Sequence, residues 1–286
     1  MRLHALAKIN LALDVLGKRP DGYHDVRMIM QTISMYDDLN LEIKKEPGIE
    51  LRTNLAYIPT DSRNLAWRAA ELLMQEFGIR DGLKIDLEKY IPVTAGLAGG
   101  SSDAAAVLVG VNRLFGLGLS TEELMERGVI LGADVPYCVM RGTALAEGIG
   151  EKLTRLPSVP GCHVVVGKPA VNVSTKTAYE SLNTDSITAR PDIDGMIECI
   201  QKGDLYGITS RMKNVFEPGI ARKYPVITEI AELLCRHGAM NAIMSGSGPT
   251  VFGIFEKKGE AEKAAAALRE SRKARTVHLT RVFRVA

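Results

Sequence analysis

The sequence lacks any closely spaced pair of cysteines. Its four cysteines lie far apart in the 286 residues: Cys138, Cys162, Cys199 and Cys235. Neither a zinc site nor a redox dithiol is indicated, because both need cysteines close together in the sequence. All four have apolar neighbours, so we expect buried free thiols of a reducing compartment.

Long apolar runs and a large net charge are also missing. No stretch is apolar enough to span a bilayer, and no apolar secretion signal precedes Lys8. The net charge is +2, and basic residues are spread along the chain apart from Arg269 to Arg275. Neither a nucleic acid nor a membrane is therefore an expected partner. We expect a cytoplasmic monomer or homodimer whose partners are small molecules.

The most distinctive stretch runs from Ile91 to Ala106 and reads IPVTAGLAGGSSDAAA. Before it, Leu83 to Leu87 alternates apolar and polar residues like a strand. After it, Asp103 to Leu114 is rich in Ala, Val and Leu and predicts a helix. A glycine-rich turn therefore opens a helix.

The glycines of this turn suit a phosphate. Without a Cβ, Gly96, Gly99 and Gly100 let the backbone wrap closely around a ligand. Three residues of the types that cap helices follow them: Ser101, Ser102 and Asp103. The unpaired first N–H groups of the helix and its dipole favour an anion. The alternative is a plain glycine-rich linker that ends in a helix cap.

The first residues predict a long strand from Leu3 to Leu16. Its alternation places Lys8, Asn10 and Ala12 on one face. That face is either solvated or part of a functional site.

Farther on, Val26 to Tyr36 and Leu39 to Lys44 predict two more strands, joined by a turn at Asp37 and Asp38.

A turn at Gly17 to Asp25 ends in an aromatic residue and an imidazole. Pro20, Asp21 and Gly22 favour the turn. Tyr23 and His24 follow directly, and such a pair suits a planar heterocyclic ligand. The alternative is an ordinary hairpin tip at the surface.

A lone aspartate follows the next predicted helix. The helix, Thr121 to Leu131, has the capping-box residues Ser120 and Glu123. Asp134 lies beyond it, where Pro136 is expected to stop a helix or strand. A partly buried carboxylate needs a cationic partner, and Lys8 is a candidate.

In the second half, Leu156 to Gly161 is the expected connection between domains. Val173 to Leu182 predicts a short helix, and Asn183 to Asp194 a loop. A second Gly/Ser turn, Ser245 to Pro249, separates two apolar runs, and Thr276 to Val285 predicts a final strand.

Together these motifs resemble the GHMP small-molecule kinases, the superfamily of galactokinase, homoserine kinase and mevalonate kinase. Pro92 to Ala106 is similar to their ATP loop, and Ser245 to Gly253 to their C-terminal glycine motif. Ala7 to His24 resembles the opening signature of the members that act on 4-diphosphocytidyl-2-C-methyl-D-erythritol. Leu131 to Cys138 and Asp61 to Ala70 also fit those members. Where many members have glycine, this chain has alanine at position 98, which asks for a negative φ there.

The resemblance implies an α+β fold of two domains with ligands in the cleft between them. Residues 1–155 would form a ribosomal-protein-S5-domain-2-like domain, and residues 156–286 a ferredoxin-like domain. The implied reaction transfers the γ-phosphoryl of ATP to the 2-hydroxyl of 4-diphosphocytidyl-2-C-methyl-D-erythritol, a step of non-mevalonate isoprenoid synthesis.

The resemblance also implies residue roles. Asp134 would accept the proton of the hydroxyl, and Lys8 would contact Asp134 and that hydroxyl. Asn64 would line the adenosine pocket. The triphosphate would be bound by Pro92, Val93, Thr94, Ala95, Gly96, Leu97, Ala98, Gly99, Gly100, Ser101 and Ser102. Mg²⁺ would accompany ATP, held mostly by phosphate oxygens and water, with the hydroxyl of either Ser101 or Ser102 as a candidate protein contact.

On the substrate side, the family places a cytosine between two aromatic rings. Tyr23 and Tyr179 occupy the matching positions, and His24 would hydrogen-bond the edge of the base. Asn10 and Thr175 would contact the remaining substrate groups. For Tyr179 the alternative is a core tyrosine on an amphipathic helix.

Two rival functions stay open. One is a GHMP kinase with another small alcohol as substrate, such as homoserine or mevalonate, which would have no use for an aromatic pair at Tyr23 and His24. The other is a non-catalytic nucleotide-binding or RNA-binding module, which would not need Lys8 together with Asp134. The sequence contains no GxxxxGK[ST] loop, no protein-kinase motifs and no HExxH metal pair.

Overall fold

The computed structural model describes residues 1–180, 182, 184 and 187–285. Within it the chain divides into two compact units. The first contains Met1–Ala7, Met35–Val93 and Ala98–Arg141, and the second contains Lys8–Ser34, Thr94–Leu97 and Gly142–Ala286. Each unit is assembled from separate chain segments, so the boundary expected after residue 155 stays a prediction.

The first unit packs helices beside a mixed sheet. Strand β2 (His24–Lys44) pairs antiparallel through its second half with β4 (Gly82–Glu88), and β4 pairs in parallel with β3 (Ile49–Thr53). Strand β1 (Arg2–Lys18), which belongs to this unit only up to Ala7, is the other neighbour of β2. The helices are α1 (Leu65–Glu76), α2 (Gly99–Leu114), α3 (Thr121–Leu131) and α4 (Val135–Met140). Helix α2 packs against the other three, and most of its residues are buried.

The expected turn at Asp37 and Asp38 is wrong, because β2 continues through both residues. Aspartate disfavours strands when its carboxylate competes for backbone groups. Asp37 is instead fully buried, and its Oδ1 accepts the backbone N–H groups of Tyr90 at 2.5 Å and Ile91 at 2.7 Å. A partner distant in sequence thus removes the reason for a turn.

The second unit contains a four-stranded antiparallel sheet. Its strands are β7 (His163–Lys168), β9 (Asn241–Met244), β10 (Val251–Phe255) and β11 (Thr276–Arg281). Their order across the sheet is β11-β7-β10-β9, and every pair is antiparallel. This order and the intervening helices are those of a ferredoxin-like fold. Helices α9 (Val226–Arg236) and α10 (Lys258–Glu270) bury apolar faces beside the sheet.

Shorter elements complete this unit. Strand β5 (Thr143–Glu147) joins β2 at Met28–Gln31 and also pairs with β6 (Lys152–Leu156), and β8 (Lys213–Asn214) pairs with β1 at Ala12 and Leu13. The remaining helices are α5 (Thr175–Glu180), α6 (Ile193–Lys202), α7 (Leu205–Ser210) and α8 (Glu217–Lys223). The expectation of an α+β fold is confirmed.

Several element predictions need correction at their ends. Helix α5 ends at Glu180 rather than at Leu182, and Ser181 lies outside the described residues, as do Asn183, Asp185 and Ser186 of the expected loop. The last strand ends at Arg281. Cys235 is exposed, whereas the other three cysteines are buried as expected. In the part of the chain that the structure describes, no helix is long and apolar enough to cross a membrane.

Candidate functional site

The face of β1 that carries Lys8 and Asn10 is buried, so the solvated alternative is wrong. Lys8 is 4% exposed and Asn10 is 0% exposed. The Lys8 Nζ donates a hydrogen bond to Asn10 Oδ1 at 2.8 Å, and Asn10 Nδ2 donates to Met28 Sδ at 3.2 Å. A buried ammonium needs such partners because it leaves water behind.

The two glycine-rich turns of the sequence meet in the second unit. The Ser245 hydroxyl donates to the Gly96 carbonyl at 3.0 Å. Gly96 has a φ of +73°, and a Cβ on it would lie 2.2 Å from the Ser245 carbonyl oxygen. Only glycine fits there, for both reasons. The strand of Lys8 also reaches this loop, because the Lys8 N–H donates to the Leu97 carbonyl at 3.1 Å.

Asn214, which was not predicted, holds the second glycine turn. Its Nδ2 donates to the carbonyls of Met244 at 2.7 Å and Gly246 at 2.8 Å, while its Oδ1 accepts the Phe216 N–H at 3.0 Å. The side chain therefore hydrogen-bonds three backbone groups, two carbonyls at the glycine turn and the N–H of Phe216. A single asparagine before an apolar pair carries no sequence signal for such a role.

Helix α2 begins earlier than expected, at Gly99, and Ala98 rather than Ser101, Ser102 or Asp103 is its N-cap residue. Ala98 has a φ of +56°, so the expected negative φ is wrong. This left-handed conformation costs alanine on the order of 1–2 kcal/mol, whereas glycine would adopt it without strain. In the part of the chain that the structure describes, no side chain caps the start of α2. The first N–H groups of the helix are therefore suited to an anion.

The hydroxyl of Ser102 faces the protein interior. It donates to the Leu6 carbonyl at 2.6 Å and contacts Cys138 Sγ at 3.3 Å, and the residue is 2% exposed. Ser101, one residue earlier, is half-buried. Ser102 thus contributes to packing through its side chain, and only its backbone is suited to bind a ligand.

Three buried charged residues lie beside the start of α2: Asp37, Lys89 and Asp103. The Lys89 ammonium donates to both carboxylates, at 2.6 Å to Asp103 Oδ2. Burial and the nearby Asp37 raise the pKa of Asp103 to about 8, although Lys89 opposes this shift. For Lys89, burial lowers the pKa, but the two carboxylates outweigh burial, so its pKa lies above the usual value.

Asp134 precedes α4 in the first unit and is half-buried. Pro136 does not stop a helix, because it lies in the first turn of α4, where proline's missing N–H is not needed. Lys8 belongs to the second unit and Asp134 to the first. Their pairing stays a prediction.

Asn64, expected at an adenosine pocket, is the N-cap residue of α1. Its Oδ1 accepts the Ala66 N–H at 2.9 Å, and its Nδ2 donates to the Pro59 carbonyl at 2.8 Å. Helix α1 therefore begins at Leu65, directly after this cap. A role toward adenosine stays a prediction.

Among the expected substrate residues, the structure brings His24 and Tyr179 together. Their ring centroids are 5.0 Å apart, and the Tyr179 ring meets Phe216 edge-on at 4.8 Å. Tyr23 is 60% exposed at the tip of its turn. Thr175 shares a hydrogen bond of 3.0 Å with Ser247 of the second glycine turn. Tyr179 is half-buried, and the cytosine sandwich stays a prediction.

No group of three or more His, Cys, Asp or Glu side chains in the described ranges could hold a metal ion.

Comparison with known proteins matches both halves of the chain to one group. The family model for the GHMP kinases N terminal domain matches residues 64–142, and that for the GHMP kinases C terminal matches residues 196–274.

Individual relatives resemble almost the whole chain. The 4-diphosphocytidyl-2-C-methyl-D-erythritol kinase of Lachnospira eligens is 52% identical over 283 residues, covering 99% of this chain and 98% of that protein. The protein of the same name from Lachnoclostridium phytofermentans is 53% identical, with 98% and 97% covered. A crystal structure of 4-(cytidine 5'-diphospho)-2C-methyl-D-erythritol kinase has a TM-score of 0.85 and 32% identity, and 99% of each chain is covered.

Proposed function

The chain belongs to the 4-diphosphocytidyl-2-C-methyl-D-erythritol kinase family of GHMP kinases, and we propose that it phosphorylates the 2-hydroxyl of that substrate. ATP is the phosphoryl donor, and the reaction is a step of non-mevalonate isoprenoid synthesis. The observation that carries the proposal is an identity of about half with relatives of that name over nearly the whole chain.

The loop from Pro92 to Ser102 is the proposed binding site for the triphosphate. Two features support this role: the close packing of Gly96 on Ser245, which holds the backbone in one shape, and the start of α2 without a side-chain cap. Backbone N–H groups and a helix dipole stabilise phosphate charge without a dedicated cation. Asn64 is proposed to contact adenosine.

Mg²⁺ is proposed to arrive with ATP, held by phosphate oxygens and water, and to supply neutralisation of phosphate charge.

Asp134 is the proposed acceptor of the hydroxyl proton, and Lys8 the residue that orients the reacting groups. Lys8 is supported by its burial and by its hydrogen bond to Asn10, which fixes the direction of the ammonium. Phosphoryl transfer depends mainly on positioning and charge neutralisation. Proton acceptance by a positioned carboxylate contributes about 10² to 10⁴ in rate.

Tyr23, His24 and Tyr179 are proposed to bind the cytosine, and Asn10 and Thr175 the other substrate groups. The His24 ring lies beside the Tyr179 ring at 5.0 Å and tilted by 36°, and this pair of rings supports a pocket for a flat base. Each aromatic contact with the base contributes on the order of 1 kcal/mol. The expected cytoplasmic location and the choice of monomer or homodimer stay predictions.

A coupled ADP-release assay tests the proposal. With ATP and Mg²⁺, 4-diphosphocytidyl-2-C-methyl-D-erythritol should be turned over, whereas homoserine, mevalonate and galactose should not. Turnover of another alcohol would keep the kinase and contradict the cytosine pocket. No turnover of any of the four would favour a non-catalytic nucleotide-binding module.

A further inference from the structure

The cluster of Asp37, Lys89 and Asp103 has no part in the mechanism proposed above, yet it lies beside the glycine-rich loop. All three residues are at most 8% exposed. Lys89 directly follows strand β4, Asp37 lies on β2, and Asp103 lies near the start of α2. The ammonium therefore joins three elements of the first unit through its hydrogen bonds to the two carboxylates.

The same cluster holds the chain on both sides of the loop. On the entry side, Asp37 Oδ1 accepts the N–H groups of Tyr90 and Ile91. On the exit side, Asp103 is bonded to Lys89. A Cβ on Gly99 would lie 3.3 Å from the Lys89 Nζ and 3.1 Å from Ile91 Cγ2, so the first residue of α2 rests directly on the cluster.

The cluster is a costly way to stabilise a fold. It contains two carboxylates for one ammonium, and Asp103 Oδ1 is buried without a hydrogen-bond partner among the described residues. Apolar residues of similar volume often stabilise a core as well as buried ion pairs do, because charges lose their hydration. The geometry that these three buried charges impose on the chain is therefore the better explanation for their presence.

We propose that Lys89 is a positioning residue for nucleotide binding, which fixes the entry and exit of the glycine-rich loop relative to each other through Asp37 and Asp103. The inference rests on the proposed binding of ATP by this loop. Lys89 contacts neither substrate in this account. Its loss should weaken ATP binding selectively, because the phosphate-binding N–H groups no longer hold one arrangement.

The test replaces Lys89 and measures each substrate separately. In Lys89→Met, the KM for ATP and the calorimetric Kd of a non-hydrolysable ATP analogue should rise at least about tenfold, while the KM of the cytidylyl substrate changes less than about twofold. A tenfold change corresponds to about 1.4 kcal/mol of binding free energy. The matched control is Lys84→Met, because Lys84 lies on β4 and is ion-paired with Asp86 at 2.8 Å, away from the loop.

A double variant covers the case in which Lys89→Met does not fold. Lys89→Met with Asp103→Asn leaves only Asp37 charged, and Asp37 keeps its two backbone donors. This variant should show a cooperative thermal transition and the same raised Kd. Asp103→Asn alone keeps an acceptor for Lys89 and should shift the Kd far less.

Two outcomes would overturn the proposal. In the first, Lys89→Met and the double variant lower Tm but bind the ATP analogue as the wild type does, which is what a purely structural cluster predicts. In the second, both substrates lose affinity equally. Calorimetry needs no turnover, so it tests the role of Lys89 apart from the reaction. If the wild type binds the analogue but does not phosphorylate the cytidylyl substrate with ATP, the proposed reaction fails and the role of Lys89 does not. Wild-type protein that does not bind the analogue would contradict both.

Discussion

Asp134 is the residue on which the proposed chemistry depends most. Replacing it with asparagine keeps the size and polarity of the side chain but removes the proton acceptor. We expect Asp134→Asn to lower kcat by about 10² to 10⁴. Binding of an ATP analogue and of a cytidine-diphosphate ligand should change little, because neither depends on proton transfer. Single-turnover kinetics with calorimetry measures both, and full activity in this variant would remove Asp134 as the base.

Tyr23 tests the substrate pocket, because its exposed ring makes it a poor candidate for a core role. Loss of one stacking partner of about 1 kcal/mol predicts a rise of about fivefold in the KM of the cytidylyl substrate for Tyr23→Ala. The KM for ATP should not change. Tyr206→Ala is the control, since Tyr206 is 75% exposed on α7 and belongs to no proposed site. Equal KM values for Tyr23→Ala and the wild type would undo the stacking assignment.

Asp103 predicts how stability varies with pH. Its pKa rises from 3.8 to about 8 in the fold, so the folded protein holds a proton that the unfolded chain has released between these values. The stability from this proton is present at low pH and is lost as pH rises through about 8. Tm should therefore fall from pH 6 to pH 9, by an amount on the order of a few degrees, more in the wild type than in Asp103→Asn. Parallel curves for the two proteins would contradict the raised pKa.

Some of the functional residues can be identified from the sequence alone, and others cannot. Lys8, Asn10 and Asp134 stand out locally, because each is a polar residue in an apolar setting. Lys89 does not, since its partners Asp37 and Asp103 lie 52 and 14 residues away. The conformation of Ala98 is also invisible in the sequence, because alanine normally avoids positive φ.

Among the elements, the glycine-rich loop and the turn at Ser245 to Pro249 pack against each other through Gly96 and Ser245. Gly96→Ala would place a Cβ against the Ser245 carbonyl and force a positive φ on alanine. We expect the KM for ATP to rise about tenfold or more in this variant. Gly116→Ala is the matched control, since Gly116 has a φ of +61° but nothing within 4 Å of its Cβ position.

The comparison of these two glycines separates strain from steric conflict. Both variants should lose stability, because each places alanine in the left-handed region, at a cost on the order of 1–2 kcal/mol. Only Gly96→Ala should change ATP affinity. A loss of ATP affinity in both, or in neither, would mean that contact with Ser245 does not shape the loop.

Elements were predictable where their signals are local. Helix α3 has the predicted bounds, and the Ser120 and Glu123 capping box that fixes its start forms in full. Strand β2 and helix α4 were not, since Asp37 and Pro136 would interrupt regular structure in the absence of tertiary partners. The start of α2 was predicted four residues too late, because glycines 99 and 100 do not look helical in the sequence.

At the scale of the whole molecule, strand order lies beyond what periodicity can give. The apolar runs of β7 and β10 fit buried strands, but they do not say that β11 pairs with β7 rather than with β10. The ferredoxin-like order was implied by resemblance to the GHMP kinases, and the structure contains it. Family resemblance thus supplied the topology, and the residue pattern supplied the elements.

The proposed reaction forms one bond, between the γ-phosphorus of ATP and the 2-hydroxyl oxygen of the cytidylyl substrate. Phosphorus NMR of the reaction mixture tests it most directly. We expect one new phosphate monoester on the methylerythritol carbon that bears the 2-hydroxyl, formed in equal amount to ADP, with the diphosphate bridge intact. ADP accompanied only by inorganic phosphate, or a phosphate ester at another hydroxyl, would contradict it.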